Sequence, residues 1–265
     1  MPGVRSSPLQ LQETSDLITQ TQTRLATSKK VNSALDNPIN FFTHQGLSAR
    51  TNDLNALLDA MSTGIDTIQA ANNGIAAITK LVQSAQALVS QANQTADVNV
   101  RATLAVQFDA LLPQIDQLAG DAGFNDVNLL GGNDLTITIN EDRSSTFVVT
   151  SFNDTVAGDL TINTAANNWV AGEDISAART QLSAALTTLW AQSQSLSSNL
   201  STVQIRQDFT KAMINTLNDG ADSLRLADSS EEGANLLALQ IRQQLSTTAL
   251  SLAAQADQNV LRLFR

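Results

Sequence analysis

The only histidine of the 265-residue chain, His44, follows Asp36 and stands just beyond two adjacent phenylalanines, Phe41 and Phe42. An imidazole near a carboxylate can serve as a general base or a metal ligand, so this segment is the first candidate for chemistry. The zinc motif of metalloproteases needs two histidines, and the absence of cysteine removes thiolate sites. We therefore expect His44 to be a bystander and the two phenylalanines to form a joint between layers or subunits.

Two acidic segments, 140–142 and 228–232, offer the other possible ligands for a cation. The first has the composition of a solvated turn, and in the second Asp228 and Glu231 are spaced to cap a helix N-terminus. Trp169 and Trp190 could stack on a sugar, but we expect both to pack in the core. The sequence thus predicts no catalytic site, no metal and no cofactor.

Charge and hydropathy exclude two classes of partner. The formal net charge is −10, and only 15 lysines and arginines are spread along the chain, so we expect no nucleic-acid partner. No run of about 18 apolar residues is present, which predicts no membrane insertion. The N-terminus also lacks an apolar run of signal-peptide length, so we expect a soluble chain or one exported without a cleaved signal.

Two apolar series with a period of seven residues dominate the chain. They predict long amphipathic helices that pack against each other as a rod. The first series consists of Leu47, Leu54, Met61, Ile68, Ile75, Val82 and Val89, and the second of Ile175, Leu182, Leu189, Leu196 and Val203. Gly64 and Gly74 interrupt the first helix, each at a cost of about 1 kcal/mol relative to alanine.

Between these series the pattern changes. A shorter helix is predicted over 101–118, with Pro113 as a kink or break. Leu135, Ile137 and Ile139 then alternate with polar residues, and a polar turn at 141–145 leads to a second alternating run, which predicts a β-hairpin. The segment 158–164 predicts one further short strand, and the whole insert is expected to cap the helical bundle.

Both ends of the chain also carry helical stripes, surrounded by Gln, Thr, Ser and Asn in place of charges. A solvated helix usually carries Glu and Lys on its outer face. An uncharged polar face costs less to bury against neighbouring helices. The terminal helices are therefore suited to burial in a polymer.

Several segments resemble bacterial flagellin. "LATSKKVNSALDNP" and "IQAANNGIAAITKL" are similar to its N-terminal half, and "FNDVNLLGG" is similar to its Phe-Asn-Gly-x-x-Leu-Leu element. The stretch 228–264 resembles its C-terminal segment, including Gln240–Ile241, Gln255–Ala256 and the closing run from Val260 to Leu263. The resemblance implies a mainly α fold: a long antiparallel helical bundle or coiled coil, with an inner pair of terminal helices, an outer rod and a small β-hairpin insert.

The resemblance also implies a function and a division of the chain. The function would be self-assembly into the extracellular flagellar filament for motility, after type III secretion through the flagellar export apparatus. Expected partners are further copies of the chain, an export chaperone, and hook-associated and cap proteins. The expected parts are an inner helix at 1–32, a connector at 33–46, rod helices at 47–130, the β insert at 131–172, a rod helix at 173–222 and an inner helix at 223–265. The expected polymerisation residues are Leu11, Ile18, Leu25, Phe41, Phe42, Ile241, Leu245, Leu252, Val260 and Leu263.

Two departures from the family pattern bear on the fold. Its N-terminus is short and contains Pro8, so we expect the first helix to begin at or after that residue. The short middle, about 131–172, predicts that large outer domains are missing. Two alternatives remain, a hook–filament junction protein and, from another class, a helical secretion or signalling bundle.

Overall fold

The computed structural model describes the backbone of residues 3–263 and the side chains of residues 9–256 and 258. Two compact units are present: the first combines residues 1–51 with 215–265, and the second is formed by 52–214. None of the described helices is both long enough and apolar enough to cross a membrane.

Helices make up most of the described chain, which confirms the predicted fold class. The five α-helices are α1 (Gly3–Thr27), α2 (Pro38–Gln94), α3 (Val98–Asp121), α4 (Gly172–Arg225) and α5 (Ser229–Leu263). Strands β1 (Leu135–Thr138) and β2 (Thr146–Val149) and a 3-10 turn at Ala166–Trp169 lie between α3 and α4.

The core of the second unit is built from the seven-residue series. Its members are buried from Leu54 to Val89 on α2 and from Ile175 to Val203 on α4, whereas Leu47 is half-buried. Helix α3 continues through Pro113 without a break. The ring of its Phe108 lies 5.0 Å from the ring of the fully buried Trp169, which closes the end of the core near the 3-10 turn.

The predicted β-hairpin is confirmed. Strands β1 and β2 are antiparallel, with Leu135 opposite Val149 and Ile137 opposite Phe147. The hairpin lies on α2 at Gly64: a Cβ added there would come within 2.9 Å of Ile137 Cγ1. A Cβ added to Gly74 of α2 would likewise lie 2.8 Å from Leu130 Cδ1. Gly64 therefore makes room for the hairpin, and Gly74 makes room for the segment just before the insert. The lower helix propensity of both glycines is offset by this close packing.

The predicted strand at 158–164 is wrong. Thr161 has a positive φ of 48°. The amides of Asp159 and Ile162 bond to the carbonyls of Asn153 and Val156, in the turn just before them, and not to a neighbouring strand. Leu160 and Ile162 are nevertheless buried. The alternation reflects burial of every second side chain in an irregular segment.

Two further expectations are wrong. Helix α1 begins at Gly3, ahead of Pro8, because one proline removes only one helical hydrogen bond and longer helical context can tolerate that loss. Trp190 follows the buried Leu189 on α4 but is 57% exposed, since adjacent helical residues point in directions about 100° apart.

Candidate assembly surface

Helices α1 and α5 pack against each other in the first unit. The C-terminal part of α1 lies beside the start of α5, where Arg24 Nη1 and Glu232 Oε1 form an ion pair at 3.3 Å. Glu232 is buried, so the pair is partly shielded from water and fixes the register of the two helices.

Helix α5 has two different apolar faces. Leu236, Leu239 and Leu250 are half-buried, and they share one side of the helix with Gln243 and Ser246. Leu237, Ile241, Leu245 and Leu252 are between 49% and 66% exposed. With about 100° between successive residues, these four fall on roughly the opposite side. We call them the α5 stripe.

The surroundings of the α5 stripe are almost free of charge. From Gly233 to Ala256 the only charged residue is Arg242. Helix α1 shows a related division: Thr14 and Thr21 are buried, whereas Leu9, Leu17 and Leu25 are exposed. Helix α5 therefore presents exposed apolar side chains with little charge around them, and α1 adds exposed leucines near the exposed carboxylates of Glu13 and Asp16.

Hydrogen bonds join the C-terminal end of α4 to the segment that follows α1. The amide of Lys30 donates to Arg225 O at 2.7 Å, and the amide of Ala227 donates to Ser28 O at 3.0 Å. Arg225 Nε donates to Val31 O at 2.9 Å. The same guanidinium lies 5.5 Å from the centre of the half-buried Phe41 ring, which places Phe41 inside the first unit.

The connector side chains that suggested chemistry are engaged in structure. The Asp36 carboxylate accepts hydrogen bonds from the amides of Ser33 and Asn32, which lower the pKa of Asp36. Asn37 Oδ1 accepts from the amide of Asn40 at 3.0 Å and caps α2, which begins at Pro38 as its position predicts.

His44 is not paired with Asp36. Burial lowers the pKa of His44, and the nearby positive charge of Arg225 lowers it further. Its Nδ1 is buried and makes no hydrogen bond within the described part of the chain. The Asp36–His44 pair therefore does not form a site.

Phe42 differs from its neighbour. Its ring meets Phe41 edge to face at 5.6 Å, but its side chain is 62% exposed. Leu35 and Ile39 are exposed as well. The connector thus adds a second exposed apolar group to the first unit.

The structure divides the expected polymerisation residues into three groups. Leu11, Ile18 and Phe41 are half-buried, and Leu25, Phe42, Ile241, Leu245 and Leu252 are exposed. The side chains of Val260 and Leu263 lie outside the described residues. Leu9, Leu17 and Leu237 are exposed as well and were not in the expected set; the spacing of Leu237 from Ile241 and Leu245 already places it in the same stripe.

Comparison with known proteins gives two family matches. The family described as "Bacterial flagellin N-terminal helical region" matches residues 7–134, and "Bacterial flagellin C-terminal helical region" matches residues 173–264. Together the two matches cover the long helices on either side of the insert and represent one class of helical protein.

Individual relatives extend over nearly the whole chain. Flagellin FljN of Caulobacter vibrioides is 34% identical over 264 residues, and flagellin FljM of the same species is 32% identical over 262; each alignment covers 96% of this chain and 93% of the relative. Flagellin of Brucella melitensis is 25% identical, with 96% and 94% covered. The crystal structure of Bacillus cereus flagellin aligns with a TM-score of 0.48 at 17% identity, covering 56% of this chain and 86% of that one.

The chain belongs to the bacterial flagellin family, in a short form. It is a structural subunit of the flagellar filament, an extracellular polymer built from many copies and used for motility. Nothing in the comparisons favours the junction protein or the secretion bundle.

Proposed function

We propose that the α5 stripe, together with the exposed leucines of α1, is the surface through which copies of the chain polymerise. The observation that carries this proposal is the position of the stripe. It lies opposite the face with which α5 packs in its own chain, so it stays available after the chain has folded.

Energy and charge favour burial of this surface. Each buried leucine or isoleucine contributes roughly 1.5–3 kcal/mol, and an exposed row of such residues repels no partner through like charges. Val260 and Leu263, whose side chains lie outside the described residues, stay part of the proposal, and Phe42 adds a contact from the connector. We also propose that the inner core of the filament is formed by segments 1–32 and 223–265. The rod is formed by segments 47–130 and 173–222.

We propose further that the chain has no catalytic activity. In support, the Asp36 carboxylate is engaged by the amides of Asn32 and Ser33, and His44 lies among Arg225, Asp222 and Lys29. Membership of the family also supports passage through the flagellar export apparatus with an export chaperone, and contact with hook-associated and cap proteins at the filament.

Leu245→Asp tests the assembly surface. A carboxylate in the stripe would have to be desolvated in a polymer, so we expect the folded chain to stay monomeric under conditions that polymerise the natural chain. Thr247→Asp is the matched control, because it adds the same charge on the same helix but outside the stripe, at an exposed position. Sedimentation after seeding measures the polymer, and circular dichroism verifies the fold. Normal sedimentation of Leu245→Asp would refute the proposal.

A further inference from the structure

Asp154, in the segment after the hairpin, has a carboxyl group that is not part of the proposed assembly surface. Asp154 is completely buried, and its amide donates to Leu130 O at 3.0 Å. Neither of its carboxyl oxygens receives a hydrogen bond from the part of the chain that the structure describes. A buried carboxylate without donors is costly, so its environment requires an explanation.

The side chain beside it presents the same problem. Gln192 of α4 is buried, and its Oε1 also lacks a donor within the described residues. Its Nε2 points to Asp159 Oδ2, at 3.4 Å. Asp159 Oδ2 in turn accepts from the amide of Asn153 at 2.9 Å. The cluster therefore contains three buried acceptor atoms without a partner, two on Asp154 and one on Gln192, whereas the second N–H of the Gln192 amide is its one uncommitted donor.

One added hydrogen resolves this imbalance. A protonated carboxyl group has an O–H donor in addition to its acceptor oxygen. We propose that Asp154 carries a proton in the folded chain in mildly acidic solution and donates it to Oε1 of Gln192, which holds the 153–162 segment on α4. The proton turns one unpaired carboxyl oxygen of Asp154 into a donor, and the hydrogen bond from that donor satisfies the unpaired Oε1 of Gln192.

The charges around the cluster favour this state. Burial raises the pKa of Asp154, the Gln192 amide opposes the rise and the negative charge of Asp159 adds to it, and together they bring the pKa to about 6. On α3, Asp116 accepts from the amide of Val156 at 2.7 Å and adds no positive charge. Asn72 of α2, which bonds Ser193 of α4, is neutral. None of these groups supplies a cation to balance an ionised Asp154.

The direction of the pH effect follows from the raised pKa. Below the ordinary pKa of 3.8 the carboxyl is protonated in both the folded and the unfolded chain, and the stabilisation is complete. It is lost progressively as the pH rises to about 6 and is absent above that. Acidic solution therefore strengthens the attachment of the 153–162 segment to α4. We call this attachment, the hydrogen bond from protonated Asp154 to Gln192, the latch. It is separate from the polymerisation proposed above.

Carbon-13 NMR of the aspartate carboxyl groups in the full-length monomer tests the proton directly. We expect one carboxyl resonance to titrate near pH 6 and to be missing in Asp154→Asn. Titration of that resonance near the ordinary value of 3.8 would overturn the proposal.

Thermal unfolding gives a second test, followed by tryptophan fluorescence because both tryptophans lie in the second unit. The amide of the Asp154→Asn variant can donate to Gln192 at any pH. We expect its midpoint to exceed that of the natural chain by several degrees above about pH 7, and the difference to shrink toward about pH 4. Asp142→Asn, in the exposed hairpin turn, is the control and should keep the pH response attributed to Asp154.

Two results would contradict the latch. One is a difference between Asp154→Asn and the natural chain that does not change with pH. The other is a pH profile that shifts when calcium or a chelator is added, because the acceptor cluster would then hold a cation in place of the proton.

Discussion

Phe41 and Phe42 are neighbours in sequence but differ in what surrounds them. Phe41 is half-buried beneath the Arg225 guanidinium, which also bonds Val31 O. Phe42 has most of its ring in solvent. The sequence predicted a joint at this pair, and it could not assign the two rings to different tasks because Arg225 lies far away along the chain.

Alanine substitutions should separate these two tasks. Phe41→Ala removes packing and a cation–π contact within one chain, so we expect it to lower the free energy of unfolding of the first unit by about 2 kcal/mol. Phe42→Ala should change that free energy by less than about 0.5 kcal/mol. It should instead raise the protein concentration needed for polymerisation.

Urea unfolding of the monomer followed by circular dichroism measures the first effect, and sedimentation after seeding measures the second. Equal loss of monomer stability in both variants would show that Phe42 is also an internal contact. Unchanged polymerisation of Phe42→Ala would remove that residue from the assembly surface.

At the scale of elements, the hairpin and α2 depend on each other through Gly64. The alternation of Leu135 and Ile137 was sufficient to predict the hairpin, because its inner residues repeat with the period of a strand. The third predicted strand failed because the same alternation occurs in the segment around Leu160, where local turns take up the backbone hydrogen bonds. Side-chain periodicity reports burial, and it cannot report which backbone groups will pair.

Gly64 also shows why composition alone misleads. Seen only as a helical residue, a glycine is a defect of about 1 kcal/mol. In the folded chain its missing side chain is the space that Ile137 occupies. That role depends on a contact between residues distant in sequence, so no local pattern could reveal it.

Gly64→Ala should therefore destabilise the second unit in spite of its better helix propensity. The added methyl group would meet Ile137, and we expect a loss of about 1–3 kcal/mol together with displacement of the hairpin. Gly46→Ala is the control on the same helix, because no heavy atom lies within 4 Å of the added Cβ, and it should be neutral or stabilising. Denaturant unfolding measures both changes; a stabilised Gly64→Ala variant would mean that the hairpin does not pack closely on α2.

At the scale of the whole molecule, the long helices use their apolar residues in two ways. The seven-residue series of α2 and α4 are buried within the chain, from Leu54 to Val89 and from Ile175 to Val203. The α5 stripe stays exposed after folding. Sequence periodicity predicted both kinds of stripe equally well, but it could not show which of them is buried within one chain and which remains exposed.

The most direct test of the central claim is a cryo-electron microscopy structure of the filament grown from the seeded, purified chain. We expect Leu237, Ile241, Leu245 and Leu252 to be buried against neighbouring copies, with Arg24 and Glu232 still paired within each chain. A filament in which these four side chains remain exposed to solvent would contradict the account, as would a folded chain that forms no filament after seeding.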